Sequence, residues 1–383
     1  MAPEDRVRVD ALSAVAQGYS VVDVVLGACM QARLFRLALD VGDRLQVMRA
    51  ASIQITHLAS QGGRIGRAER AAYAIAERLA KGLPDPGAQA YFHTCRGLSL
   101  FHRGHWEEAR EILFSPEAQA SNDTRSLNRL FGVYSLFFLG RVREQARRST
   151  HLLADAERRG DTYTIVNVRA APLIDACLAA DDPDAAREHV RFALATWTQN
   201  GFHVQHWKAM VWETQIELYV GDGARAYARL ERDRRAFKRS LLGHAQFVRE
   251  MTWFVRGSAA VAAAVDATDG NRRARLGEAR SIARRLERQG MGWIAPLASL
   301  VRAAVANAEG DAAKAVAALR LAAERADAAG MTLHASSARH QLGRLLGGDD
   351  GERLRREAET AMSSQGIRAP ERIATMILPG RWG

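Results

Sequence analysis

Residue types capable of chemistry are densest in Trp197 to Glu213, WTQNGFHVQHWKAMVWE. His203 and His206 are three apart, so on a helix they would share a face and could both reach a metal ion. No carboxylate or cysteine stands at a supporting spacing, and aromatic-rich histidine pairs more often pack between helices than ligate. The pattern therefore predicts packing, and no metal site is assigned. Trp197, Phe202, Trp207 and Trp212 read the same way, as packing side chains ahead of a ligand platform. If this stretch did hold an unrecognised enzyme site, His203, His206 and Glu213 would be its working groups.

A second cluster runs from Arg158 to Arg169, RRGDTYTIVNVR, and carries Tyr163, Asn167 and Arg169. If the helix after Gly160 were the inner helix of a hairpin, Asn167 and its polar neighbours would face a concave groove, where repeat proteins bind peptides or small molecules. A helix cap followed by an ordinary amphipathic helix explains the residues more simply. His102 and His105 bracket Gly104 and read as exposed turn residues. The ligand-groove candidates are thus Tyr163, Asn167, Arg169, His203, His206, Trp207 and Glu213.

Recognised catalytic frameworks are missing. None of the four lysines follows a glycine, so there is no G-x-x-x-x-G-K-[ST] phosphate cradle. There is also no kinase catalytic or metal loop, no G-x-S-x-G elbow and no H-E-x-x-H. No cofactor and no catalytic residue is expected.

The elements that would position these residues are read most clearly from Arg96 to Leu113, RGLSLFHRGHWEEAREIL. Gly97, Gly104, Trp106, Ala109 and Leu113 fall where a tetratricopeptide-type helical hairpin places its small, turn, aromatic, small and large apolar residues. The unit returns in loosened form, punctuated at Gly104, Gly140, Asp182, Gly221, about Asp269, Gly310 and Gly348, at intervals of about forty residues. Ala303 to Ala322 is the best later match, through Gly310, Ala315, Leu319 and Ala322. Upstream, the pattern predicts one or two helices over Arg8 to Leu39 broken near Gly18 to Ser20, then Leu45–Leu58 and Gly66–Leu79. The fold class expected is all-α, an α-solenoid of degenerate hairpins. Its sections are N-terminal hairpins (1–87), degenerate repeats (88–341), and capping helices with a tail (342–383) that close the array with a polar face.

Composition bounds the partners. Formal charge is +11 over 383 residues, which invites a nucleic-acid reading. The arginines, however, are spread along nearly every helix beside Asp or Glu, as on solvated faces. Nucleic acid is the disfavoured alternative. Cys29, Cys95 and Cys177 stand singly in apolar patterns and read as buried free thiols. The N-terminal residues lack the apolar core of a secretory signal, and no window is apolar for long enough to span a membrane, so a cytoplasmic protein is expected.

RRGDTYTIVNVR, TQNGFHVQHW (198–207), LYVGDGARAYARL (218–230) and the ending LGRLLGGDDGERLRREAETAMSSQGIRAPERIATMILPG (342–380) together resemble the C-terminal tetratricopeptide-like region of large bacterial, myxobacterial-type serine/threonine kinases that carry an AAA/STAND ATPase. The kinase and ATPase motifs are missing from this chain, so the resemblance transfers no catalytic residue. It implies a non-catalytic sensor or scaffold that binds a protein, a peptide or a small-molecule inducer, with a kinase–ATPase as the implied partner.

Overall fold

The computed structural model describes residues 2–267 and 270–383, and every regular element among them is helical. The turn expected near Asp269 lies outside the described residues. The chain forms two compact units. Unit 1 comprises Met1–Ser135, Gln199–Val204 and Ala236–Arg249, and unit 2 comprises Leu136–Thr198, Gln205–Arg235 and Glu250–Gly383. The section boundaries expected after 87 and 341 fall inside units 1 and 2 respectively.

Unit 1 begins with α1 (Pro3–Val22), α2 (Val24–Val41), α3 (Arg44–Ser60), α4 (Arg67–Lys81), α5 (Pro86–Arg103), α6 (Trp106–Leu113) and α7 (Pro116–Gln119), and holds most of α8 (Asn122–Phe138). The first break comes at Asp23 and not at Gly18–Ser20. The Asp23 carboxylate accepts from the Val25 and Leu26 N–H groups at 3.1 and 2.9 Å and so caps α2, whereas an isolated glycine such as Gly18 only weakens a helix. The connection at 82–85 between α4 and α5 does not interrupt the packing, because α3 packs on α5 across it. Met48, Ile55 and Phe92 form the local core with Ala72, Ala76 and Ala80. These alanines, four apart on α4, let that helix approach closely. Gly97 meets Leu113 as its spacing predicts: a Cβ added at Gly97 would stand 2.7 Å from Leu113 Cγ.

Unit 2 carries α9 (Val142–Arg159), α10 (Thr162–Arg169), α11 (Pro172–Ala179), α12 (Pro183–Thr196) and most of α13 (Val204–Tyr219), α14 (Gly223–Arg239) and α15 (Gln246–Val265). It continues with α16 (Arg272–Glu287), α17 (Ile294–Ala308), α18 (Ala312–Ala328), α19 (Thr332–Leu346), α20 (Gly348–Ser364) and α21 (Pro370–Ile377). Helices α16 to α20 each pack on the next, the side-by-side hairpin stacking of an α-solenoid. Ala315, Leu319 and Ala322 are fully buried at the offsets of the Gly97 unit. At Asp181–Asp182 the work of a turn glycine is divided. Asp181 takes the left-handed conformation (φ 58°), one that aspartate tolerates better than most residues, and Asp182 caps α12 through the Ala185 N–H at 3.0 Å.

The C-terminal section ends in a helix with an apolar inner face, while α20 keeps Asp349, Asp350, Glu352 and Arg353 exposed. Ile373, Met376, Ile377, Leu378 and Trp382 are all buried. A helix with apolar residues at i, i+3 and i+4 has a face to bury, and here it buries it within unit 2.

Candidate functional site

Helix α13 forms a seam that carries three of the sequence candidates, His206, Trp207 and Glu213, and meets a fourth, Asn167. It is buried nearly all round, so its polar side chains must find partners inside the protein. Lys208 reaches α10 and donates from Nζ to the side-chain Oδ1 of Asn167, while Asn167 Nδ2 donates to the Tyr163 backbone carbonyl at 2.8 Å. One turn later, Trp212 Nε1 donates to Asp175 Oδ1 of α11 at 2.8 Å, and Gln145 Nε2 of α9 donates to the other carboxylate oxygen at 3.0 Å. Trp207 Nε1 donates to Thr252 Oγ1 of α15 at 2.8 Å. Burial sets the titration of both ionisable groups in this seam. It pulls the Lys208 ammonium down to about 7. It pushes the Asp175 carboxyl up to about 7, against the opposing pull of the Trp212 and Gln145 hydrogen bonds.

The candidates thus separate into distinct roles. Asn167 is fully buried and bonded to α13 through Lys208, so it ties helices together and does not line an open groove. Tyr163 stands edge-on to Trp197 with ring centres 6.3 Å apart. Arg169 bridges Glu157 at 3.0 Å and His189 at 3.2 Å and lies over the Phe192 ring. Glu213 accepts from Arg229, which also binds Asp233 at 2.6 Å. His203 precedes α13, and only His206 lies in the helix, so their spacing carries no helical geometry. Both are buried. No three His, Cys, Asp or Glu side chains converge as a metal site among the described residues.

Two smaller expectations are corrected. His105 is exposed as predicted, but His102 is packed against Phe101 and Phe131, and burial brings it down to about 4. His102 lies within the last turn of α5 and not in the turn after it, beside the buried Phe101. Of the three free thiols only Cys95 is buried, Cys177 is half-buried and Cys29 exposed.

Sequence reasoning missed a narrow cleft in unit 2. Leu218 of α13, Val255 of α15 and Leu333 of α19 line it with Met376 and Ile377 of α21, leaving room for about one water. Gln215 Oε1 and His334 Nδ1 belong to its wall and are buried without a hydrogen-bond partner among the described residues.

No protein-family model, curated protein or solved structure matches this chain. Its chemistry is therefore read from its own residues. Among the described residues no helix is long and apolar enough to cross a membrane.

Proposed function

We propose that the chain is a non-catalytic helical-repeat sensor or scaffold, working by binding a protein or peptide segment along helices α13, α15 and α19 of unit 2. One observation carries this reading: helices far apart in sequence contribute side chains to a single cleft that already holds one face of a short helix. Laying an amphipathic helix into an apolar groove is a recurring mode of peptide recognition. A small-molecule inducer would enter only once α21 leaves, since the closed cleft has room for about one water. The ionisable groups near the seam are committed to structure, Glu213 to Arg229, Asp175 to Trp212 and Gln145, Lys208 to Asn167, which supports a binding module over an enzyme.

The resemblance points to a bacterial serine/threonine kinase–ATPase as the partner. The test is capture of such a kinase–ATPase, supplied as purified protein, followed by cross-linking and peptide mapping. Cross-links on α13, α15, α19 or α21 are the expected result. Capture with cross-links confined to unit 1 would move the binding face elsewhere, and no capture would remove this partner.

A further inference from the structure

The segment Ile367–Gly383 meets helices from across unit 2. The Arg368 N–H donates to the Ala179 carbonyl at 2.8 Å, beside the end of α11. Arg372 pairs with Asp181 at 2.8 Å and lies over the Tyr219 ring of α13, whose hydroxyl donates to the same carboxylate at 2.7 Å. Beyond α21, Asn307 of α17 donates to the Arg381 carbonyl at 3.0 Å, Arg381 reaches Asp266 at 3.4 Å, and Arg344 of α19 donates to the Gly383 carbonyl at 3.3 Å. Between these ties the apolar side of α21 closes the cleft described above.

Two features mark this arrangement as an occupied groove. First, the ties at its margins are solvent-accessible, Arg372–Asp181 being 50% and 38% exposed and Arg381–Asp266 82% and 53%. Ion pairs of that exposure contribute little each. Second, the wall behind Met376 and Ile377 carries two buried polar atoms, Gln215 Oε1 and His334 Nδ1, that bond to no atom of α21 and face the room for about one water. An occupant able to donate to Gln215 directly would make a contact that α21 does not make.

We infer that Ile367–Gly383 is a built-in occupant of the groove, and that the external partner is a short amphipathic helix of the same pattern, aliphatic at i, i+3 and i+4 beside an arginine, which binds by displacing it. The inference rests on the partner-binding reading above and adds what the groove holds and what it admits. Displacement is accessible despite the extensive apolar contact, because an incoming helix of like composition regains what the resident one loses. What remains is the local concentration of the tethered segment. Only Gln365–Ala369 separates α20 from α21, and a short tether gives an effective concentration on the order of millimolar. A partner helix that adds contacts α21 does not make, such as a direct donor to Gln215, competes below that level.

The test uses the full chain and a fluorescein-labelled peptide of sequence 367–383, read by anisotropy. Half-saturation in the millimolar range is expected for the wild-type chain. It should fall about tenfold for the Arg372→Ala/Arg381→Ala chain, whose resident segment has lost both ion pairs while the peptide keeps them. Circular dichroism verifies that the double variant is folded. Hydrogen exchange in both chains should show amides 371–378 losing protection as peptide is added. No anisotropy change with the folded double variant would overturn the inference, as would equal binding of a peptide carrying Ile373→Glu and Met376→Glu. If exchange fails while the kinase–ATPase still cross-links to α13 or α15, the strap is refuted and the partner-binding reading stands.

Discussion

At the scale of single residues, close approach and burial set the constraints. Gly97→Leu would drive a side chain into Leu113, since even a Cβ there stands at 2.7 Å. Overpacking of this kind costs about 1–3 kcal/mol, so the variant should melt several degrees below the wild type in a calorimetric scan. Melting at the parent temperature would show that the α5–α6 crossing tolerates separation. Asp175 and Lys208 make a paired prediction about pH. Folded Asp175 keeps its proton up to about 7 instead of 3.8, so between these values the folded state binds more protons and stability falls as pH rises. Lys208 loses its proton near 7 instead of 10.5, so from there upward the unfolded state binds more and stability rises. Together they place a stability minimum near neutrality. Urea midpoints at pH 4, 7 and 10 should show Asp175→Asn removing the acid-side slope and Lys208→Met the alkaline-side slope, each taken as a difference from wild type so that other titrating groups cancel. Unchanged slopes would mean that these groups are hydrated in solution.

At the scale of elements, capping and crossing residues explain why so much was legible. Pro183 and Asp182 mark the start of α12 by chemistry confined to one turn. Asp182→Ala should cost about 1 kcal/mol in urea unfolding, with no change in the denaturant slope. A neutral result would mean that water replaces the cap. Gly97, Gly104 and Leu113 were readable for a similar reason, since hairpin turns and crossings depend on residues close in sequence. The site was less legible. Asn167 and Trp207 stand out by type, but the partner of Asn167 is Lys208, 41 residues away, and no local spacing records a contact set by how hairpins stack. Capping helices were expected within 342–383, and α21 is one of them, yet its apolar side had no visible destination. Periodicity reveals that a face is buried and not against what.

At the scale of the whole molecule, a formal charge of +11 raises the question of whether arginine is gathered for a polyanion or distributed for solubility. Adjacent arginine pairs, such as 147–148, 158–159, 234–235, 284–285 and 355–356, are the informative places. Arg148 pairs with Glu144 and Arg234 with Glu231, Arg158 and Arg159 share Asp155, and Arg355 pairs with Glu359. Arg285 instead lies over the Trp253 ring at 4.4 Å. These carboxylate partners lie three or four residues away on the same helix, so most doublets are partly neutralised by their own turn and add little to a continuous positive stripe. Affinity for duplex DNA driven by phosphate neutralisation falls with salt at a slope of about −0.9 per neutralised phosphate on logarithmic axes. Locally paired arginines should engage only a few phosphates, giving a slope shallower than about −3 and negligible binding at physiological salt. A fluorescence titration of a labelled duplex between 50 and 200 mM salt measures it. A slope of −6 or steeper would require several doublets to leave their carboxylates and act together, and would make polyanion binding the dominant use of this charge.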